Sequence, residues 1–207
     1  EIQDSLQADI VEEMETGAAA DVLEAMPADE AADIMGDLPE ERAQEILAEM
    51  QPGEAAEVKE LLQYEDDSAG GRMTSEVLNL PQELTAAQAI DRLRALAPDA
   101  ETPYYLFVVD QDKRLLGNVS LRNLVTASPD KPLGQIMDAR IIKVDVGTDQ
   151  EEVARVIHKY NLLAVPVVDQ ENRLQGMITV NDIVDVIHEE AKEDAAQMAG
   201  ITPGDVQ

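Results

Sequence analysis

The sequence lacks several residues on which common kinds of protein site depend. It contains no cysteine, so disulfides and thiolate metal sites are excluded, and its two histidines cannot by themselves build a zinc site. Aromatic residues make up 2% of the chain, so the core must consist of Leu, Ile, Val, Ala and Met. No apolar run approaches the roughly 18 residues that cross a bilayer, and we expect a soluble, cytoplasmic chain.

Basic residues are also scarce, and they are unevenly distributed. The 207 residues include 44 acids and 15 bases, which gives a formal net charge of -29. Residues 1–67 hold 22 of the acids and two bases, Arg42 and Lys59, so this third alone carries -20. Nucleic acids and anionic membranes are therefore poor partners. Composition leaves open whether the acids form a solvated surface or a surface that collects cations.

The first third of the chain repeats every 12 residues. An apolar residue occupies the same place in each repeat: Met14, Met26, Leu38, Met50 and Leu62. Pro27, Pro39 and Pro52 follow three of these positions, and acidic residues come next, which is typical of the start of a helix. Helices this short cannot bury an apolar side alone, so we predict that they stack into a superhelix with the Met and Leu side chains inside.

The rest of the chain contains a longer repeat, in residues 73–128 and 132–188. Each copy has a Thr that can cap its first helix (Thr85 and Thr148) and a β-rich run that ends in Asp. A polar turn, the pattern Leu-X-Gly and a Ser or Thr that opens a closing helix follow in both copies. The pattern predicts the unit β-α-β-β-α twice.

This doubled unit resembles the CBS motif, two of which normally pack into one pseudo-symmetric domain. Residues 64–74, YEDDSAGGRMT, resemble the junction of MgtE magnesium channels, where acids precede Ala-Gly-Gly-X-Met-Thr. Residues 97–105 and 148–155 are similar to the same family, and an acidic helical array before the CBS pair completes its order. The expected fold class is α+β: an all-α superhelix of short repeats, then a tandem CBS domain and a C-terminal linker helix.

We expect three segments: an acidic helical N-domain in residues 1–67, a tandem CBS domain in 68–180, and a connecting (plug) helix in 181–207 that is truncated before a membrane domain. The two folded parts should be separable by proteolysis near residues 65–74.

The resemblance implies a magnesium-sensing regulatory module on the cytoplasmic side of the bacterial inner membrane. Its expected partners are a second copy of itself and its own transmembrane pore domain, absent from this chain; this fragment should not insert into the membrane. Mg²⁺ bridging acidic surfaces would stabilise a compact, closed state of the channel. Apolar side chains of the closing helix supply the expected homodimer surface: Ile183, Val184, Val186 and Ile187.

Several acids of the connecting helix recur at helical spacing, so their carboxylates lie close together. Two carboxylates about 5 Å apart repel by roughly 3 kcal/mol at an effective dielectric near 20, before salt screening. A divalent cation with oxygen ligands cancels that repulsion, although a solvated face without a specific ion is the alternative. The resemblance favours magnesium. The residues it nominates are Asp182, Asp185, Glu190, Glu193, Asp149, Glu151 and the backbone at Gly71, with Asp21, Glu54 and Glu57 as candidates in the helical repeats.

CBS pairs often bind adenosine nucleotides, so ATP is a second possible ligand. The candidate residues are Tyr105, Ser120, Arg122 and Asn123. Asn123 stands where an Asp often meets the ribose, and it lacks the charge-assisted bond of a carboxylate. An adenine-nucleotide-sensing CBS module is therefore the alternative function, and a structural adaptor built on the repeats also stays open. We expect no enzyme, because no Ser-His-Asp order is convincing and Gly70-Gly71 lacks the context of a phosphate loop.

Overall fold

The structure is a computed structural model of the 207-residue chain. It describes the backbone of residues 2–96 and 105–183, and the side chains of residues 6–95 and 106–183. The predicted connecting helix therefore lies outside the described residues beyond its first turn, which includes residues 181–183.

Five short helices form the first third of the chain. They are α1 (Ile2–Glu13), α2 (Thr16–Glu24), α3 (Ala28–Gly36), α4 (Glu40–Glu49) and α5 (Pro52–Leu61). Pro27 and Pro39 occupy the N-cap positions of α3 and α4, and Pro52 is the first residue of α5. The prolines thus lie at helix starts. The N–H that proline lacks would have no acceptor within the helix at these positions.

Helices two apart in the sequence pack together in this array. Helix α1 packs on α3, α2 on α4, and α3 on α5. The core contains Ala19, Ala31 and Ile46, each fully buried, and the small alanines allow the helices to approach closely. Of the apolar repeat positions, Leu38 and Met50 are buried, and Met14 and Met26 are partly buried. Leu62 differs, because it follows the last helix of the array and is 36% exposed.

Arg42, one of two bases in this acidic array, connects three of its helices. It lies on α4, and its guanidinium donates to the Thr16 hydroxyl at 2.8 Å and to the carbonyl oxygens of Val11 and Met14. Its side chain is 14% exposed, and it also pairs with Glu45 on its own helix. The arginine therefore satisfies carbonyls at the end of α1, which have no partner within that helix.

Replacing Arg42 with methionine is expected to destabilise the helical array by about 2 kcal/mol, because buried carbonyls lose charge-assisted hydrogen bonds. The melting temperature of the array should fall by about 10 °C, measured by circular dichroism. Lys59→Met is the matched control: it removes the other base from an exposed position on α5 and should change the melting temperature little. Equal effects of the two substitutions would show that net charge, not the Arg42 contacts, controls stability.

The remainder of the described chain forms two similar units. The first contains β1 (Asn79–Pro81), α6 (Ala86–Leu96), β2 (Tyr105–Val109), β3 (Leu115–Ser120) and α7 (Leu121–Thr126); the second contains β4 (Val144–Asp145), α8 (Gln150–Tyr160), β5 (Ala164–Val168) and β6 (Leu174–Thr179). In each sheet the first strand is parallel to the second, and the second is antiparallel to the third. A helical turn begins after β6, so the predicted order β-α-β-β-α is confirmed as far as the chain is described.

The two predicted threonine caps had different outcomes. Thr85 exchanges hydrogen bonds with Gln88 at the start of α6: its hydroxyl accepts from the Gln88 N–H, and the Gln88 side chain accepts from the Thr85 N–H. The prediction for Thr148 is wrong, because α8 begins one residue later than expected. Asp149 is the N-cap there, and the Thr148 hydroxyl accepts from the Asp145 N–H instead.

In each unit, the short chain segment before the first strand pairs with the third strand of the other unit. We call these two stretches the exchanged segments. Thr74 forms a bridge with Met177 in β6 of the second unit, and Asp138 forms one with Asn118 in β3 of the first. The glycines of the two Leu-X-Gly patterns explain how the segments fit. A Cβ on Gly176 would lie 2.5 Å from the Thr74 carbonyl oxygen, and a Cβ on Gly117 would overlap the carbonyl of Asp138.

Apolar side chains from both sheets meet in one cluster between the units. Phe107, the single phenylalanine of the chain, contributes the largest side chain and is 1% exposed. Val168 and Met177 from the second sheet belong to the same cluster. The two units are therefore halves of one packed domain.

The junction between the helical array and this domain is bonded into the second unit. Ala69 and Gly70 donate backbone N–H groups to the carbonyls of Thr148 and Val146, at 2.6 and 2.7 Å. Ala69 is fully buried in the second unit's core. These bonds protect residues 68–70 within the predicted cleavage region, whereas residues 65–67 are exposed, as are residues 62–63 directly after α5. Cleavage near residues 65–74 stays a prediction.

Candidate cation and nucleotide sites

The junction and the start of α8 bring three nominated positions into one region. The Gly71 N–H donates to the Ser68 hydroxyl at 3.3 Å, and Ser68 forms a backbone bridge with Asp149, the N-cap of α8. Glu151 lies in the first turn of the same helix. A Cβ on Gly71 would overlap the Glu65 carbonyl, so the close chain approach here requires glycine. The fold thus places Gly71, Asp149 and Glu151 near one another.

The carboxylates at this helix start already have protein partners. One Asp149 oxygen accepts from the backbone N–H groups of Glu151 and Glu152, at 2.9 and 3.4 Å. Glu151 forms an ion pair with Arg155 one turn later, a contact that the spacing Glu-X-X-X-Arg could have predicted. A cation here would use the second Asp149 oxygen and compete with Arg155 for Glu151.

Asp182, the nominated acid of the connecting helix within the described residues, also has a structural role. One of its carboxylate oxygens accepts from the Thr179 backbone N–H at 2.7 Å and from the Thr179 hydroxyl at 2.8 Å. These bonds hold the start of the closing helix, as a Thr-X-X-Asp spacing allows. Its other oxygen has no hydrogen bond within residues 6–95 and 106–183. Asp185, Glu190 and Glu193 lie outside the described residues.

The candidates in the helical array lie on two helices. Asp21 is exposed on α2, while Glu54 and Glu57 are exposed one turn apart on α5. Glu54 lies in the first turn of its helix, where the helix dipole already favours a negative charge. The array alone does not bring all three carboxylates to one helix face.

Within residues 6–95 and 106–183, no three acidic or histidine side chains are close enough together to hold a metal ion. The donor set still suits magnesium, because exposed carboxylates can bind a Mg²⁺ ion that keeps several of its waters. Such an ion needs one or two carboxylates, and Asp149 and Asp182 each have one oxygen without a hydrogen bond in the part of the chain that the structure describes. The magnesium site therefore stays a prediction, as does the assignment of its ligands.

Three of the four nucleotide candidates lie at the start of α7. The Ser120 hydroxyl accepts from the Asn123 N–H at 3.1 Å and caps this helix. Arg122 and Asn123 are exposed, so both can reach a ligand. Tyr105 begins β2, but its side chain lies outside the described residues. The Ser120 hydroxyl keeps its proton free to donate to a phosphate, so ATP binding at this position also stays a prediction.

One residue of the expected dimer surface is not available for that role. Ile183 is 3% exposed and belongs to the core of the second unit, together with Val153 and Val165. The prediction that its side chain faces a second copy is therefore wrong. It points inward because the closing helix must cover its own sheet. Val184, Val186 and Ile187 lie outside the described residues.

Contacts near Tyr64 and at Asp29 join the helical array to the paired units. Leu61 and Tyr64 pack against the core of the second unit, and the Tyr64 ring lies against Gly70, where a Cβ would be 2.5 Å from it. Burial, together with the carboxylates of Glu60 and Asp169, raises the pKa of the Tyr64 hydroxyl, which stays protonated at neutral pH. The second contact joins Asp29 to Ser75, and no sequence pattern had singled out this pair.

Comparisons with known proteins agree with this architecture, a helical array followed by a CBS pair. Residues 1–67 match the family described as the MgtE intracellular N domain, and residues 69–130 and 133–189 match CBS domains. The magnesium transporter MgtE of Thermus thermophilus is 44% identical over 151 residues, which are 73% of this chain and 34% of that protein. MgtE of Enterococcus faecalis is 46% identical over 147 residues, or 71% of this chain and 32% of the relative.

Two solved structures have the same arrangement. The soluble part of a magnesium transporter is 42% identical with a TM-score of 0.83, over 89% of this chain and 72% of that one. The cytosolic domain of the Mg²⁺ channel MgtE, crystallised in complex with ATP, is 36% identical with a TM-score of 0.73, over 86% and 78%.

The fold and these matches define a CBS-pair protein with a helical N-domain. More particularly, the chain belongs to the MgtE family, of which it carries the intracellular N domain and the CBS domains. It spans about a third of the length of the curated relatives that it matches. In the described part of the chain, no helix is long and apolar enough to cross a membrane.

The chain also resembles part of an enzyme. Inosine-5'-monophosphate dehydrogenase of Aquifex aeolicus is 32% identical over 81 residues, but these are 16% of that enzyme. This match covers too small a share of the enzyme for its activity to be assigned to this chain.

Proposed function

We propose that this chain is a cytosolic regulatory module that senses Mg²⁺ and gates an MgtE-type magnesium channel. Mg²⁺ would bind between the acidic array, the CBS pair and the connecting helix, and would thereby stabilise a compact, closed state. The module would act as a homodimer on its own pore domain at the cytoplasmic side of the membrane. It would carry out no catalysis.

The observation that carries this proposal is the packing of two acidic bodies against each other. Residues 1–67 carry -20 of the net charge of -29, so the rest of the chain is negative as well. Leu61, Tyr64 and Asp29 nevertheless bring the array against the CBS pair. Charge repulsion opposes this packing, and cations that bind the packed state better than the open one shift the population towards it.

Small-angle scattering tests the proposal. The radius of gyration should be largest in chelator and should fall as Mg²⁺ rises, with a midpoint on the order of millimolar, as for weak oxygen-ligand sites. About 30 mM NaCl, which matches the ionic strength of about 10 mM MgCl₂, should have less effect because screening provides no bridging ligand. Light scattering on the same samples separates compaction from dimerisation.

A set of amide variants tests the nominated ligands. Changing Asp182, Asp185, Glu190 and Glu193 to their amides should move the midpoint to higher Mg²⁺ if coordination dominates, or produce compaction without Mg²⁺ if repulsion dominates. The charge-matched control changes four exposed acids outside the nominated set: Glu12, Asp37, Glu49 and Asp130. An equal midpoint shift in both sets would argue for a diffuse cation atmosphere. The same radius in chelator, sodium and magnesium would contradict the sensing function.

An adenine-nucleotide sensor is the second candidate function. It is favoured by the crystal structure of a 36% identical relative in complex with ATP, and by the half-buried Ser120 beside the exposed Arg122 and Asn123 at one helix start. An ATP arm without Mg²⁺ belongs in the scattering experiment. Tight ATP binding with no response to Mg²⁺ would select this function over cation sensing.

A further inference from the structure

Direct hydrogen bonds join the two acidic bodies at one contact. One carboxylate oxygen of Asp29, on α3 of the helical array, accepts from the Ser75 hydroxyl at 2.9 Å. The same oxygen accepts from the Ser75 backbone N–H at 3.3 Å. Both residues are half-buried, so water competes for these bonds less than at an open surface.

Ser75 is held in place by the CBS pair and not by the helical array. The preceding residue, Thr74, exchanges two backbone hydrogen bonds with Met177 in β6, at 2.9 and 3.0 Å. The Val77 N–H donates to the Ser75 carbonyl at 2.8 Å and closes a turn on the other side. The Ser75 backbone, including its N–H donor, is therefore positioned whether or not the array is packed against it.

Asp29 is also held in position on its own side. It lies in the first turn of α3, where the helix dipole stabilises its charge, and α3 packs between α1 and α5. Hydrogen bonds to an ionised acceptor are stronger than those between neutral groups. A displacement of the array by a single helical turn would break both bonds, so the contact also specifies one packing position.

We propose that Asp29 and Ser75 form a cation-independent latch that determines how the helical array packs on the CBS pair and how much cation is needed to compact the chain. The proposal rests on the proposed function and adds to it a contact that discriminates between packed arrangements. Cations would reduce the repulsion between the two bodies and so permit several packed arrangements. The latch would select one of these arrangements.

Intramolecular energy transfer measures the latch in the whole chain. The sequence has no cysteine, so Glu12→Cys and Asp130→Cys, two exposed positions on the array and on the CBS pair, give a background for two dyes. Transfer efficiency would be recorded in chelator and across a Mg²⁺ titration for Asp29→Ala, Ser75→Ala and the double variant. Circular dichroism melting would verify that each variant is folded.

Each single substitution is expected to lower the ratio of packed to open chain about tenfold, the usual effect of losing a charge-assisted hydrogen bond. The Mg²⁺ midpoint should rise about threefold if two cations are coupled to packing. The double variant should be no worse than either single one, because the two side chains act through one contact. Ser75→Thr keeps the hydroxyl and should behave like the parent chain.

Asp37→Ala is the matched charge control. Asp37 is the exposed C-cap of the same helix, so its removal changes the charge equally without touching Ser75. Glu30 and Asp33 have polar contacts of their own and are unsuitable for this purpose.

Several outcomes would overturn the latch. It would be overturned if the single variants kept the Mg²⁺ midpoint of the parent chain and its transfer efficiency in chelator. It would also be overturned if the effects of the two single substitutions were fully additive in the double variant, or if Asp37→Ala had an equal effect. A parent chain that does not respond to Mg²⁺ would contradict the proposed function instead. The latch would then still be judged by the transfer efficiencies in chelator.

Discussion

Replacing Phe107 with alanine is expected to destabilise the CBS pair by about 4 kcal/mol, the largest single-residue effect that we predict in this chain. Phe107 is 1% exposed and lies in the cluster between the two sheets, with Val109 on its own strand and Val168 and Met177 on the other sheet. A cavity here removes contacts from both units at once. The melting temperature of the CBS pair should fall by about 10–15 °C.

Two controls make the Phe107 result specific. Phe107→Leu leaves a smaller cavity and should cost about 1–1.5 kcal/mol. Val125→Ala shortens an apolar side chain that is 72% exposed on α7, and it should change the free energy of unfolding by less than about 0.5 kcal/mol. Chemical denaturation followed by circular dichroism gives all three values. A loss below about 1 kcal/mol for Phe107→Ala, or separate transitions of the two units in the parent chain, would refute the shared core.

Replacing Gly176 with alanine is expected to cost about 3 kcal/mol, although it adds one methyl group. The new Cβ would lie 2.5 Å from the Thr74 carbonyl oxygen and 2.7 Å from the Met73 sulfur. Met73 is buried, and Thr74 is bonded to Met177 on both sides of the clash, so neither residue can move without loss. The overpacking costs about 1–3 kcal/mol of the free energy of unfolding, and one or two weakened hydrogen bonds add to this cost.

The matched control for Gly176 lies in the same domain. Gly147 has no atom within 4 Å of a built Cβ, so Gly147→Ala should be close to neutral. Because Gly176 contacts the segment that leads to Ser75, Gly176→Ala should also loosen the packing of the helical array. Equal melting temperatures of the two variants would show that the exchanged segment is not held as the structure indicates.

Several features of the fold could be predicted from short sequence patterns. The 12-residue spacing of Met and Leu predicted a stack of short helices because a helix buries one stripe of side chains, whichever partner it meets. The Thr85 cap was also predictable, since a capping residue bonds within its own helix turn. The Thr148 cap was wrong because an adjacent carboxylate, Asp149, competes for the same N–H groups, and local pattern alone does not decide between the two.

The candidate site was predictable in part. The resemblance to the MgtE family nominated Gly71 and Asp149 as separate positions, and the fold places them in one region. The buried Ile183 could not be distinguished from a dimer contact, because an apolar residue on a helix suits either place. Asp29 and Ser75 carried no signal, because one Asp and one Ser, 46 residues apart, form no recognisable motif.

The family, the order of the helices and strands, the acidity of the array and the absence of thiol chemistry could all be derived from the sequence. These properties follow from residue types and local spacing, which do not depend on distant parts of the chain. The folded chain was needed to show that the junction belongs to the second unit, that Gly117 and Gly176 admit exchanged segments, and that Asp29 meets Ser75. These contacts join residues distant in sequence, and their geometry exists only after both sheets and the helical array have packed.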